Sequence, residues 1–102
     1  MTREYLVVYE KSSDNWSAFS PDFPGCGTVG DGLEDTRANM REAMEVYLAE
    51  TAKAGESLPE ASATSVNFAE FDPEHATKEY FVEWLSVSVP LALIPSESTQ
   101  AA

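Results

Sequence analysis

Cys26 and His75 are the only thiol and the only imidazole in this chain of 102 residues. A thiolate with a neighbouring imidazole can act as nucleophile and base. Here the two residues stand far apart in the sequence, with no supporting motif around either. A structural zinc ion would need more soft ligands than one Cys and one His supply. Cys26 is therefore expected to be a small, buried or half-buried side chain, and His75 to be exposed near a short helix start. Three carboxylates, Asp22, Asp31 and Asp35, raise metal-assisted hydrolysis. That chemistry needs acidic side chains clustered around two ions. These three fall in a turn and at a helix start, where Asp has local work to do. The expectation is no catalytic residue, no metal, no cofactor and no enzyme. The aromatic residues Trp16, Phe19, Phe81 and Trp84 suit either a ligand box or a core between sheet and helix, and core packing is the expectation.

The segment that positions several of these residues is 21–31, Pro-Asp-Phe-Pro-Gly-Cys-Gly-Thr-Val-Gly-Asp. Pro24 fixes its own φ and drives Phe23 toward an extended conformation. Gly25, Gly27 and Gly30 permit positive φ. Pro21, Asp22, Pro24, Gly25, Cys26, Gly30 and Asp31 thus read as a rigid structural loop.

The flanking patterns predict the elements. Residues 5–9 are apolar, β-branched and aromatic, a first strand. Residues 11–15 form a polar turn, and 16–20 the second strand of a hairpin. Residues 26–30 are a short third strand, glycine-rich and suited to an edge or bulge. Over 33–54 the apolar residues Leu33, Met40, Ala43, Met44, Tyr47 and Leu48, continued by Thr51 or Ala52, follow helical spacing. Arg37, Arg41, Glu42, Glu45 and Glu50 lie largely off that stripe. Asp31 with Glu34 has capping-box spacing, with Gly32 as the alternative cap. Gly55 is a natural helix terminator. Residues 56–65 are a polar loop, 66–71 are ambiguous, Asp72-Pro73 suits a helix start, and 80–89 are the last strand. The fold class is α+β: a small antiparallel sheet with one long helix packed on one face, in β-β-β-α-β order. One domain spans 1–90, and 91–102 are a tail expected to fray.

Six Lys and Arg face eighteen Asp and Glu, a formal net charge of −12. A polyanion does not bind nucleic acid unaided, because phosphate binding depends on Lys and Arg. The field instead favours a basic protein partner. One cysteine excludes an intrachain disulfide and suits a reducing cytoplasm. The apolar run near the start is too short for a signal peptide, and no segment has the length of a membrane helix.

The order of elements and the 21–31 loop together resemble the HicB family, antitoxins of type II toxin–antitoxin pairs. The matching residues are 5–9, Ala18, the whole of 21–31, then Glu34, Asn39, Glu42, Ala43, Gly55 and Pro59. The resemblance implies a truncated RNase H-like α+β fold, and a partner resembling HicA, a small basic RNA-cleaving toxin. It also implies a homodimer or higher oligomer, to which exposed sheet edges would contribute. Many such proteins carry a C-terminal DNA-binding domain. The twelve residues after Pro90 are too few for one, so autorepression by this chain alone is not expected. The family's small hydroxyl residue before the helix is replaced by Gly32.

The leading reading is an antitoxin-like cytoplasmic protein that neutralises a HicA-type mRNA-cleaving toxin by direct binding. Glu42, Glu45 and Glu50 are the candidate partner-binding residues. The alternative is an orphan HicB-like oligomeric binding or regulatory module without a cognate toxin.

Overall fold

The computed structural model describes residues 1–65 and 79–89. Five elements run in the order β1 (Thr2–Lys11), β2 (Trp16–Phe19), β3 (Gly27–Gly30), α1 (Leu33–Lys53) and β4 (Glu79–Ser88). The strands form one antiparallel sheet ordered β3-β2-β1-β4. This is the expected α+β architecture in the expected order. The first and last strands are longer than their most apolar cores suggest. Thr2↔Ser88 through Lys11↔Glu79 pair without interruption, so the ladder carries polar ends that hydrophobicity alone does not mark. The expected short helix at Asp72-Pro73, His75 and the tail 91–102 lie outside the described residues.

Strand alternation sorts the sheet into two faces. Tyr5, Val7 and Tyr9 face α1 and pack with Ala18, Leu85 and Val87. Leu6 and Val8 point the other way and are buried there as well. From α1, Met40, Met44, Leu48 and Ala52 descend onto the sheet, joined by Thr36. These five recur every fourth residue, which keeps them on one side of the helix. Leu33 and Tyr47 pack at the margin.

The helix ends are explained locally. Gly32 is the N-cap, with φ −132° and no side-chain cap. This settles the capping alternative against Asp31: Glu34 spends its carboxylate on Arg37 at 2.8 Å instead of reaching back. Thr36 Oγ1 donates to Gly32 O at 2.8 Å and closes the first turn from inside. At the other end Gly55 adopts φ +76°. Its N–H donates to Ala52 O, and that of Glu56 to Thr51 O, a Schellman closure.

Two expectations need correction. Trp84 and Phe19 do not sit between sheet and helix. Trp84 pairs with Leu6 and Phe19 with Val8, which places both on the opposite face. Arg37 was expected off the buried stripe, yet it lies over the sheet with its side chain 24% exposed. The reason is a carboxylate beneath it, Glu83 on β4, which a helical pattern cannot reveal.

Candidate functional site

The 21–31 segment is held from several directions. Phe23 N–H donates to Ser20 O and Cys26 N–H to Phe23 O, two consecutive tight turns. Within the second of them Gly25 takes φ +81°, a conformation that costs any side-chain-bearing residue. Phe23 is buried, edge-on to Tyr5 with ring centroids 4.6 Å apart and tilted against Tyr47 at 5.1 Å. Buried Ser20 donates its hydroxyl to Leu6 O at 2.7 Å. Asp22 accepts from Ser62 Oγ at 3.0 Å and from the Ala63 N–H at 3.3 Å. The loop therefore also anchors the chain after the helix. A second tether runs from Tyr5 OH to Pro59 O at 2.7 Å.

Gly27 and Gly30 were expected to supply positive φ. They do not; both are ordinary strand residues, and among the described residues only Gly25 and Gly55 have positive φ. Gly30 is small for another reason. A Cβ there would lie 2.7 Å from the Thr36 backbone N, so glycine lets β3 pass directly under the start of α1.

Cys26 is half-buried and free. Burial raises its thiol pKa, which disfavours the nucleophilic thiolate. Asp22 is engaged in the loop. Asp31 and Asp35 line an open groove of about 410 Å³ with Val29, Gly30, Ala38 and Asn39. Asn39 Nδ2 closes one side by donating to Val29 O at 2.9 Å. Among the described residues no three His, Cys, Asp or Glu side chains are grouped to hold a metal ion.

The outward side of α1 carries Asp35, Glu42 and Glu50, all exposed, with Val46 among them at 55% exposure. Glu45 differs from its neighbours. It is half-buried and accepts the Ser88 N–H at 2.8 Å. One turn earlier Arg41 Nε donates to Ser86 O at 3.1 Å. The candidate trio Glu42, Glu45 and Glu50 is thus split: two point outward, and one ties the helix to β4.

The strongest polar cluster was not anticipated. Arg37 meets Glu83 through Nε–Oε2 at 2.9 Å and Nη2–Oε1 at 3.1 Å. Tyr9 OH donates to the same Oε2 at 2.6 Å, and the guanidinium lies 5.8 Å from the centre of the Phe81 ring. Burial, then the bond to Glu83, raises the Tyr9 pKa; the bond to Glu83 raises that of Arg37. Every member is satisfied, so the cluster is a structural lock between helix and sheet. A lone Glu inside an aromatic strand pattern was the available signal.

The HicB-like antitoxin of bacterial toxin–antitoxin system is the family whose profile matches this chain, over residues 5–101. An uncharacterized 14.9 kDa protein in the rep-hol intergenic region of Haemophilus phage HP1 is 31% identical over 58 residues, covering 57% of this chain and 44% of that protein. The chain thus spans less than half the length of that relative. Among solved structures, a toxin–antitoxin complex from Streptococcus pneumoniae contains a chain of similar fold. It has a TM-score of 0.74 and 19% identity, covering 99% of this chain and 86% of the other. A chain of a HicA3 and HicB3 toxin–antitoxin complex superposes with a TM-score of 0.55 and 22% identity, covering 88% of this chain and 99% of its own length.

Proposed function

This chain belongs to the HicB-like antitoxins of bacterial toxin–antitoxin systems, and from that membership we propose that it neutralises a small, basic RNA-cleaving toxin of HicA type by direct binding. The observation that carries the reading is the outward face of α1. Asp35, Glu42 and Glu50 stand exposed there, and Val46 offers an apolar contact among them. An RNA-cleaving protein needs a positive surface along the phosphate path. A rigid helix presenting carboxylates at intervals of about two turns, some 10–12 Å at 1.5 Å per residue, occupies such a surface as a phosphate mimic and excludes the RNA. The net charge of −12 steers the encounter. Relatives of this fold occur in toxin–antitoxin complexes, which agrees with a protein partner. In this reading the protein acts in the cytoplasm, where mRNA is, and performs no catalysis.

The test is a search beside the gene for a short reading frame encoding a basic, HicA-type protein, followed by co-expression of the two, read as rescue of growth and as co-purification. Rescue with a stoichiometric complex is the expected result. Failure of both, with the toxin active and both proteins soluble, would overturn the proposal.

A further inference from the structure

β3 borders the sheet on the side away from β4. Ser12 N–H donates to Asn15 O at 2.8 Å and begins the β1–β2 ladder at the hairpin turn. Antiparallel alternation then turns the backbone groups of Ser17 and Phe19 toward β1, and those of Trp16 and Ala18 toward β3. Across β3, Thr28 and Gly30 turn back to β2, while Gly27 and Val29 turn outward. No described strand lies beyond them, and the chain on both sides of β3 is described. One side chain stands in for a neighbour: Asn39 Nδ2 donates to Val29 O at 2.9 Å, as a strand N–H would. The groove lined by Asp31 and Asp35 runs along this edge beside the start of α1. Its free polar side-chain atoms are all acceptors, the two carboxylates and Asn39 Oδ1. Neither carboxylate has a hydrogen bond or ion pair to a described residue, whereas Glu34, Glu79 and Glu83 are matched by Arg37 and Lys11.

On the toxin-binding reading above, we propose that this edge and groove receive an extended, cationic segment of the basic partner. Its backbone pairs with Gly27 and Val29 as a fifth strand, and one arginine or lysine side chain lies between Asp31 and Asp35. Shape selects a strand. Outward N–H and C=O groups two residues apart are complemented by extended backbone, and Gly27 sets no side chain in the way of a close approach. Charge selects a cation. A strand beside β3 turns alternate side chains toward α1, into a groove whose free atoms only accept hydrogen bonds, with Ala38 as a surface for an aliphatic stem. A second copy of this chain, at net charge −12, is repelled by the same carboxylates. Continuity agrees as well, because Asp35 also heads the acidic outward face of α1. On binding, Asn39 yields Val29 O to an N–H of the partner.

The test measures binding of the full chain to the basic HicA-type protein whose gene is sought above, by stopped-flow kinetics and amide hydrogen exchange. Capture should slow exchange at the Gly27 and Val29 amides. Asp31→Asn combined with Asp35→Asn should speed dissociation by about tenfold or more, as loss of a charge-assisted contact does, whereas Glu42→Lys and Glu50→Lys act on association. Val29→Pro removes an outward N–H and spares the β2 ladder; it should speed dissociation by about tenfold, while Val29→Ala should change little. If the proline variant melts early, the aspartate pair and the exchange data decide. No capture by wild type overturns the toxin-binding reading and this placement with it. Capture that leaves exchange at Gly27 and Val29 unchanged, or unchanged dissociation in a folded Asp31→Asn, Asp35→Asn chain, overturns the placement alone. So does protection of those two amides in the free chain that grows with its concentration, which gives the edge to a second copy.

Discussion

Arg37 on α1 and Glu83 on β4 meet in a two-pronged ion pair, at 2.9 and 3.1 Å, with both side chains less than a quarter exposed. Tyr9 OH completes the carboxylate's shell from the central strand. Three elements are therefore joined at one carboxylate, at the end of the sheet where α1 begins. Removing one partner leaves the other desolvated and unmatched. Glu83→Gln is expected to cost about 2 kcal/mol. The double variant Arg37→Met, Glu83→Leu should cost less than the sum of its single changes. Urea unfolding in a double-mutant cycle reads both.

Tyr9 supplies a pH dependence. Burial and Glu83 hold its hydroxyl protonated well above tyrosine's ordinary value of 10.0. The folded chain thus keeps a proton that the unfolded chain releases above that value. The associated stability is complete below about pH 10 and is lost as pH rises further. Unfolding free energy measured from pH 8 to 11 should fall over the last unit more steeply in wild type than in Tyr9→Phe. The variant is expected to be about 1 kcal/mol less stable at neutral pH.

The glycines separate two kinds of constraint. Gly30→Ala drives a methyl group into the Thr36 backbone and should cost about 2 kcal/mol or more. Gly25→Ala meets open space but sits at φ +81°, which predicts about 1 kcal/mol; Gly25→Val, branched at Cβ, should cost more and lose rescue together with the fold. Gly32→Ala has open space and an extended φ, so its cost should stay below about 1 kcal/mol. Thermal unfolding should return the order Gly30, Gly25, Gly32.

Charge reversal on α1 should distinguish Glu45 from Glu42 and Glu50, three and five positions away. Glu42→Lys and Glu50→Lys are expected to leave the melting temperature nearly unchanged while slowing association with the toxin and weakening its salt dependence. Glu45→Lys removes the acceptor of the Ser88 N–H and should lower stability as well. Stopped-flow binding at two salt concentrations, beside a melt, resolves the two effects.

With net charge −12, the purified chain is expected to show no useful affinity for duplex DNA or RNA at physiological salt. A mobility-shift titration checks this, and tight sequence-specific binding would refute it.

The element order was legible along the chain because the relevant signals are local. The continuous apolar run at 5–9, the alternation at 16–20 and the stripe through Met40, Met44 and Leu48 need no distant partner to be read. The loop was legible for the same reason: Pro24 and Gly25 carry their backbone angles in their own covalent structure. The role of Gly30 was not, because it depends on how closely β3 passes under α1. Nor were the sides taken by Phe19 and Trp84. A strand's alternation says that neighbours oppose each other, but which set meets the helix depends on cross-strand register, here Val8 with Phe19 and Leu6 with Trp84. Arg37 and Glu45 look alike along the helix, as charged residues off an apolar stripe. Folding brought Glu83 beneath the first and the Ser88 N–H beside the second, because the β1–β4 ladder and helix packing place residues more than forty positions distant within hydrogen-bond reach.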